Sequence, residues 1–243
     1  MKKAVNTKLI VQSASLTLHS DGPSLSTFHS FSIQLLQYAD FFTELSDRFE
    51  KQHEGNELTY TITLEYRASI TAAIFSAWSF VDATINEFFW TARKNSDAIR
   101  NLGPALISAL KTVSKDDPRK TLEKYQKALE LTHKGLFCRG GSPYQQAYIL
   151  SRLRNQLIHF EPEWVGKNVQ EIEKDLRGKF RLSPFSRRSN LFFPDQCLSH
   201  GCAEWAMKSA LHFVDEFWAR IGIEPKYEPV RSGLSITKSK NRA

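Results

Sequence analysis

From Phe28 the chain sets apolar side chains at alternating intervals of three and four: Phe28, Phe31, Leu35, Tyr38, Phe42, Leu45 and Phe49. That spacing holds one face of a helix apolar along its length, so a helix is predicted there, ended by "HEGNE". "LTYTITLEY" then alternates strictly at Leu58, Tyr60, Ile62, Leu64 and Tyr66, which by itself is a strand pattern. It runs without punctuation into "RASITAAIFSAWSFVDATINEFFWTARK", where Phe75, Trp78, Ile85 and Phe89 share one helical face. One long helix is expected, from about Thr63.

The later helices carry their own punctuation. "PALISALKTVS" is a short helix. In "DDPRKTLEKYQKALELTHKG", Asp117 is placed to cap, Pro118 to occupy the first turn and Gly135 to stop the helix. In "GGSPYQ", Ser142 reads as a cap, Pro143 as the first helical position and Gln145 as the end of a capping box. This helix ends near Phe160, because Pro162 disfavours helix at Glu161. "KNVQEIEKDLRG" is a small helix. "FPDQCLSHGCAEWAMKSALHFVDEFWARIG" is a long one, with Cys202, Ala206, Ala210, Phe213, Phe217 and Ile221 facing inward.

No internal repeat interrupts this order. The expected architecture is an all-α, single-domain bundle of about six helices. Residues 1–26 form an arm or a short strand ("KLIVQSASLTLH"), residues 27–224 the helical domain, and residues 225–243 a loose basic tail.

Composition narrows the partners. A formal charge of +7 and a pI near 9.3 favour an anionic partner, nucleic acid first. With 41% apolar and 12% aromatic residues the chain is expected to build a core, which excludes a disordered segment. Cys138, Cys197 and Cys202 are too few and too odd for a secreted disulfide framework. The best apolar run, "ITAAIFSAWSFVDATI", is interrupted by Asp82 and falls short of the roughly 18 residues a membrane span needs. "MKKAVNTKLIVQSAS" makes a poor signal peptide. A reducing cytoplasm and no membrane partner are expected.

Chemistry concentrates in "SRLRNQLIHFEPEW". Leu150, Leu153 and Leu157 form the core stripe of this helix, and Asn155 and His159, four apart, share another face. Arg154 and His159 are five apart, about 140° round the axis and about 7.5 Å along it. A pair so splayed suits an extended phosphodiester, or two copies of the helix facing each other.

"RNQLIH" matches the R-polar-x-x-x-H signature of the HEPN superfamily. It lies in the last turns of a late helix and is followed by "FEPEW". Upstream, "FSAWSFVDATINEFF" is similar to the long early helix of several bacterial HEPN families. The chain resembles that superfamily over roughly Thr59 to Gly222. The resemblance implies an all-α, metal-independent RNA endonuclease with no cofactor, acting as a homodimer. In it the RNA 2′-OH attacks the adjacent phosphorus and leaves a 2′,3′-cyclic phosphate. By position it implies Arg154 as the phosphate-binding cation, His159 as general acid or base, and Asn155 as the residue that orients them. A toxin or phage-defence role, with a neutralising antitoxin protein as partner, is the setting it implies.

The residue types fit that chemistry on their own terms. Histidine exchanges protons near neutral pH, and arginine carries a fixed charge on a fork suited to phosphate oxygens. The helix C-terminus and nearby Glu161 favour the imidazolium form. The competing reading ties Arg154 to Glu161 or Glu163 and leaves His159 as a satisfied helix end.

Three further groups are singled out. Asp82 and Asn86 sit one turn apart, with Asp82 on the stripe of Trp78 and Ile85; either they steer Arg154 or His159 from behind, or they tie helices together. Arg177, Lys179, Arg181, Arg187 and Arg188 fall in one acid-free segment with Phe180 and Phe185. That segment either contacts RNA by phosphate pairing and base stacking, or is a solvated loop with its phenylalanines pinned into the core. "CLSHGC" lacks the second ligand pair that structural zinc requires, so no metal site is expected. A catalytically silent RNA- or nucleotide-binding relative and a helical protein-interaction module are the other classes the sequence leaves open.

Overall fold

The computed structural model of the chain describes residues 13–19, 22–28, 30–94, 97–160, 171–186 and 191–238. Glu161, Pro162, Glu163, Trp164, Arg187 and Arg188 lie outside the described residues. The chain divides into two compact units, Met1–Phe31 and Ser32–Ala243. In the first, β1 (Ser13–His19) and β2 (Gly22–Phe28) pair antiparallel, with Leu16 opposite Leu25 and Ser13 opposite Phe28. Phe28, which apolar spacing assigns to a helix, ends a strand because its backbone pairs across to Ser13 instead of closing a helical turn.

The second unit is an all-α bundle. Its helices are α1 (Phe31–Gln52), α2 (Tyr60–Arg93), α3 (Pro104–Lys111), α4 (Thr121–Leu131), α5 (Tyr144–Ile158), α6 (Glu171–Leu176) and α7 (His200–Ile221). Two single-turn helices, α8 (Glu228–Arg231) and α9 (Ser235–Lys238), follow. At one end of the bundle Glu50 of α1 joins Tyr66 of α2 and His200 of α7. At the other, Phe88 of α2 packs on Phe217 and Trp218 of α7, with ring centroids 5.4 and 5.7 Å apart. Helices α2 and α7 therefore run parallel, and α1 runs antiparallel to both. Tyr125 of α4 sits between Phe213 and Phe217, each 4.7 Å away, and its hydroxyl donates to the Val81 carbonyl at 2.7 Å.

Helix α2 forms the centre of the bundle. Among the described residues it is the one helix long and apolar enough to cross a membrane by length and composition, and 56% of that stretch is buried inside the bundle. A single Asp82 does not break the apolar window, contrary to the expectation from sequence. The alternation at 58–66 does not make a strand: the long helix expected from about Thr63 starts at Tyr60. Thr59 caps α2, its hydroxyl accepting from the Ile62 N–H at 3.4 Å. Tyr60 and Leu64 of the alternating set face solvent while Tyr66 turns inward, so the period of two is incidental to a helix.

Helix α1 buries Ser32, Leu36, Ala39, Thr43, Ser46 and Glu50, the face next to its apolar stripe. Leu35, Phe42 and Phe49 are only half-buried on the shoulder, and Tyr38 is exposed. This polar seam is stable because its groups have partners: the Ser32 hydroxyl donates to Glu87, Ser46 to the Thr43 carbonyl and Thr43 to the Ala39 carbonyl.

Other boundaries differ from expectation for local reasons. Asp117 does not cap α4; it accepts from the Arg119 N–H in the preceding turn, and α4 starts at Thr121. Gly135 does not stop it either: His133 takes the left-handed φ of +54°, and the Lys134 N–H reaches back to the Leu129 carbonyl. Neither Ser142 nor Gln145 makes a side-chain cap on α5, where the Gln145 N–H uses the Gly141 carbonyl instead. Phe192–Gln196 stands apart from α7, which opens at Ser199. The segment expected to be loose is folded down through residue 238. Tyr227 and Leu234 are buried, Arg231 pairs with Asp215, and Ser235 donates to Asp40.

The opening of α7 supplies a sharp test of packing. The Ser199 hydroxyl accepts from the Cys202 N–H and donates to the Arg181 carbonyl at 2.7 Å, drawing that backbone against Gly201. A Cβ at Gly201 would stand 2.5 Å from the Arg181 carbonyl oxygen and 2.9 Å from its nitrogen. Gly201→Ala should destabilise the fold by about 1–3 kcal/mol, read from denaturant midpoints. An unchanged midpoint would contradict this packing.

Candidate functional site

Helix α5 turns Leu150 and Leu153 into the core and leaves Leu157 half-buried, which fixes the direction of the residues between them. Arg154 is half-buried and lines a cleft of about 420 Å³. The opposite wall is one face of α2, with Trp78, Asp82 and Asn86 at successive turns. Thr121, at the start of α4, and Leu35, from α1, complete the enclosure. Asp82 and Asn86 line the same cleft as Arg154, and their bonds to Thr121 and Lys124 tie α2 to α4.

Within the cleft the polar groups are ordered. The Thr121 hydroxyl donates to Asp82 Oδ1 at 2.5 Å, and Asn86 Nδ2 donates to Asp82 Oδ2 at 3.1 Å. Lys124 Nζ donates to Asn86 Oδ1 at 3.0 Å. Arg154 Nη1 donates to Asn155 Oδ1 at 2.9 Å. Among the described residues no ion pair involves Arg154, so its remaining guanidinium N–H groups are available to a ligand. Thr121 and Lys124 carried no signal in the sequence, because their role depends on where α4 lands against α2.

His159 is placed differently. It is exposed, caps the C-terminus of α5, and its backbone N–H donates to the Asn155 carbonyl at 2.8 Å. It does not line the cleft that holds Arg154. The predicted site is therefore split, with Arg154 on the cleft side of α5 and His159 at its open end. Glu161, expected to favour the imidazolium, lies outside the described residues.

Two of the five basic residues in the 177–188 segment have partners among the described residues. Arg177 pairs with Glu173 and lies 4.8 Å over the Phe192 ring. Arg181 Nη2 donates to Glu50 Oε2 at 2.5 Å. Phe180 packs on Trp205 at 5.7 Å and Phe185 on Tyr66 at 5.2 Å, so both rings are engaged in packing and not offered to bases. Lys179 is half-buried, and Arg187 and Arg188 lie outside the described residues.

In "CLSHGC" the two thiols are buried, which pushes Cys197 up to about 12 and Cys202 well above the usual thiol range. No group of three potential metal ligands occurs among the described residues. His200 is engaged with α1: its Nδ1 lies 3.2 Å from both the Ser46 hydroxyl and the Thr43 carbonyl, and its Nε2 lies 3.7 Å from Asp47. Ser46, His200 and Asp47 thus superficially resemble a hydrolytic triad. Ser46 is fully buried and its hydroxyl donates to the Thr43 carbonyl at 2.7 Å, so it is no nucleophile. The cluster clasps α1 to α7.

No family model, no curated protein and no solved structure matches this chain. Any functional reading therefore stands on the α5 residues and the cleft beside them.

Proposed function

We propose that this protein is a metal-independent RNA endonuclease of the HEPN type that works as a homodimer. The observation that supports the reading is the half-buried Arg154 guanidinium, facing a cleft with Asn155 as its hydrogen-bond partner. Arg154 holds the non-bridging oxygens of the scissile phosphate, and Asn155 fixes the guanidinium fork. One His159 takes the proton of the RNA 2′-OH as that oxygen bonds to phosphorus. The P–O5′ bond breaks, and a second imidazole returns a proton to the departing 5′-oxygen. The products are a 2′,3′-cyclic phosphate and a 5′-hydroxyl.

Because Arg154 and His159 diverge on one helix, a two-fold axis beside α5 supplies the second cation and the second imidazole. The exposed Ile158 and Phe160 offer apolar contact for that pairing. A toxin or phage-defence setting, with an antitoxin partner, belongs to the same proposal and rests on the resemblance alone.

Purified protein should cut total RNA in the presence of EDTA, and its activity per chain should fall as dilution makes the monomer dominant by mass. Undiminished activity in a demonstrated monomer would refute the composite site. The position of His159 outside the cleft favours a second reading, an RNA or nucleotide binder without catalysis. Binding of RNA with no cleavage at any protein concentration would select it.

A further inference from the structure

We infer that the cleft between α2, α4 and α5 is a base-selective pocket that takes guanine beside the phosphate held by Arg154, with Asp82 as the specificity-determining residue. The inference rests on the endonuclease reading for its substrate and on the cleft alone for its selectivity.

Among the described residues Asp82 is the only carboxylate lining this cleft, and it is bonded from two sides by Thr121 and Asn86. Each of its oxygens accepts one of these bonds and retains a further acceptor position. Asn86 is itself held by Lys124, which fixes the orientation of its amide. The wall therefore presents a carboxylate fork that can accept two adjacent donors. Guanine alone among the RNA bases has them on its pairing edge, at N1–H and N2–H₂. Adenine and cytosine place a donor beside an acceptor there, and uracil sets its single N–H between two carbonyls.

The remaining walls suit a nucleotide. Trp78, one turn from Asp82, and Leu35 of α1 supply apolar surface, and Arg154 lines the same cleft for the phosphate. The cleft thus holds both a cation for the phosphate and a carboxylate for the donor edge of a guanosine nucleotide. A volume of about 420 Å³ suits a single nucleotide and not a duplex.

The test is calorimetric titration of the full chain with 5′-GMP, AMP, CMP, UMP and IMP at low salt. GMP should bind at least about tenfold more tightly than the others, and IMP, which lacks the 2-amino group, should lose that advantage. Asp82→Asn replaces an acceptor with a donor and should bring GMP to within about twofold of the rest, whereas Arg154→Ala should weaken all five alike. Melting temperatures measured in parallel reveal any damage to the start of α4, and the comparison of GMP with IMP needs no variant. Equal affinities, or no binding by any of the five, would overturn the inference. A protein that cuts RNA without guanine preference keeps the endonuclease reading and loses this one. A protein that selects GMP and never cuts RNA keeps this pocket and loses the catalytic reading.

Discussion

Replacing His159 with alanine should abolish RNA cleavage and leave the bundle as stable as before. The side chain is exposed at the end of α5, and the hydrogen bond that closes the helix there uses the His159 backbone, which alanine retains. An exposed substitution of this kind changes stability by no more than about 0.5 kcal/mol. Loss of a general acid or base lowers a rate by about 10² to 10⁴, enough to take cleavage below detection in a gel assay. The measurement is cleavage of total RNA beside a thermal melt, wild type and variant together. A variant that cuts like wild type removes His159 from the mechanism. One that melts much earlier assigns the residue to the fold instead.

The second large effect falls on stability, at Glu50. Its side chain is 4% exposed and collects three donors. The Tyr66 hydroxyl reaches Oε1 at 2.7 Å, the His200 backbone N–H reaches the same oxygen at 2.8 Å, and Arg181 reaches Oε2 at 2.5 Å. Burial pushes the Tyr66 phenol well above its usual range, so it stays a protonated donor. The His200 N–H belongs to the first turn of α7, where no carbonyl within that helix can receive it. Glu50→Ala strands the His200 N–H and leaves the Tyr66 hydroxyl only Ser183 Oγ, 3.4 Å away, at the junction of α1, α2 and α7, at a cost of about 1–3 kcal/mol for each. Arg181 adds little to this, because its side chain is 70% exposed and regains water. The sum is a large part of the stability of about 5–15 kcal/mol usual for a folded protein. Urea denaturation of wild type, Glu50→Ala and Glu50→Gln should order them in that sense, with the glutamine between. A Glu50→Ala midpoint within error of wild type would show that this junction does not hold the helices together.

Glu50 also marks where sequence reading stopped. Period-3.6 spacing located α1, α2, α4, α5 and α7 because long apolar stripes dominate their patterns, and the inward set Cys202, Ala206, Ala210, Phe213, Phe217 and Ile221 of α7 is buried as expected. The same logic chose the wrong face of α1. There Ser32, Thr43, Ser46 and Glu50 are buried beside Leu36 and Ala39, and polar residues are legible as core only once their partners on α2 and α7 are known. Helix ends were least legible, since His133 took a left-handed turn that glycine usually occupies, and Lys120 began α4 without a side-chain cap.

The site divides along the same line. Arg154 with Asn155 follows from neighbours in sequence, and the half-buried setting of Asp82 follows from its place beside Trp78. Thr121 and Lys124 come from a helix whose docking no local pattern records. The basic segment is ambiguous for a related reason. A charge run looks the same whether its arginines meet RNA or, like Arg177 and Arg181, meet Glu173 and Glu50.

The measurement that bears most directly on the endonuclease is cleavage of a short RNA beside the same strand with a single 2′-deoxy nucleotide at the mapped cut site, both in EDTA. Attack by the substrate's own 2′-hydroxyl predicts that the all-ribose strand is cut to a 2′,3′-cyclic phosphate end and that the substituted strand survives at that position. Cleavage of the deoxy strand, or a strict requirement for Mg²⁺, would contradict the account.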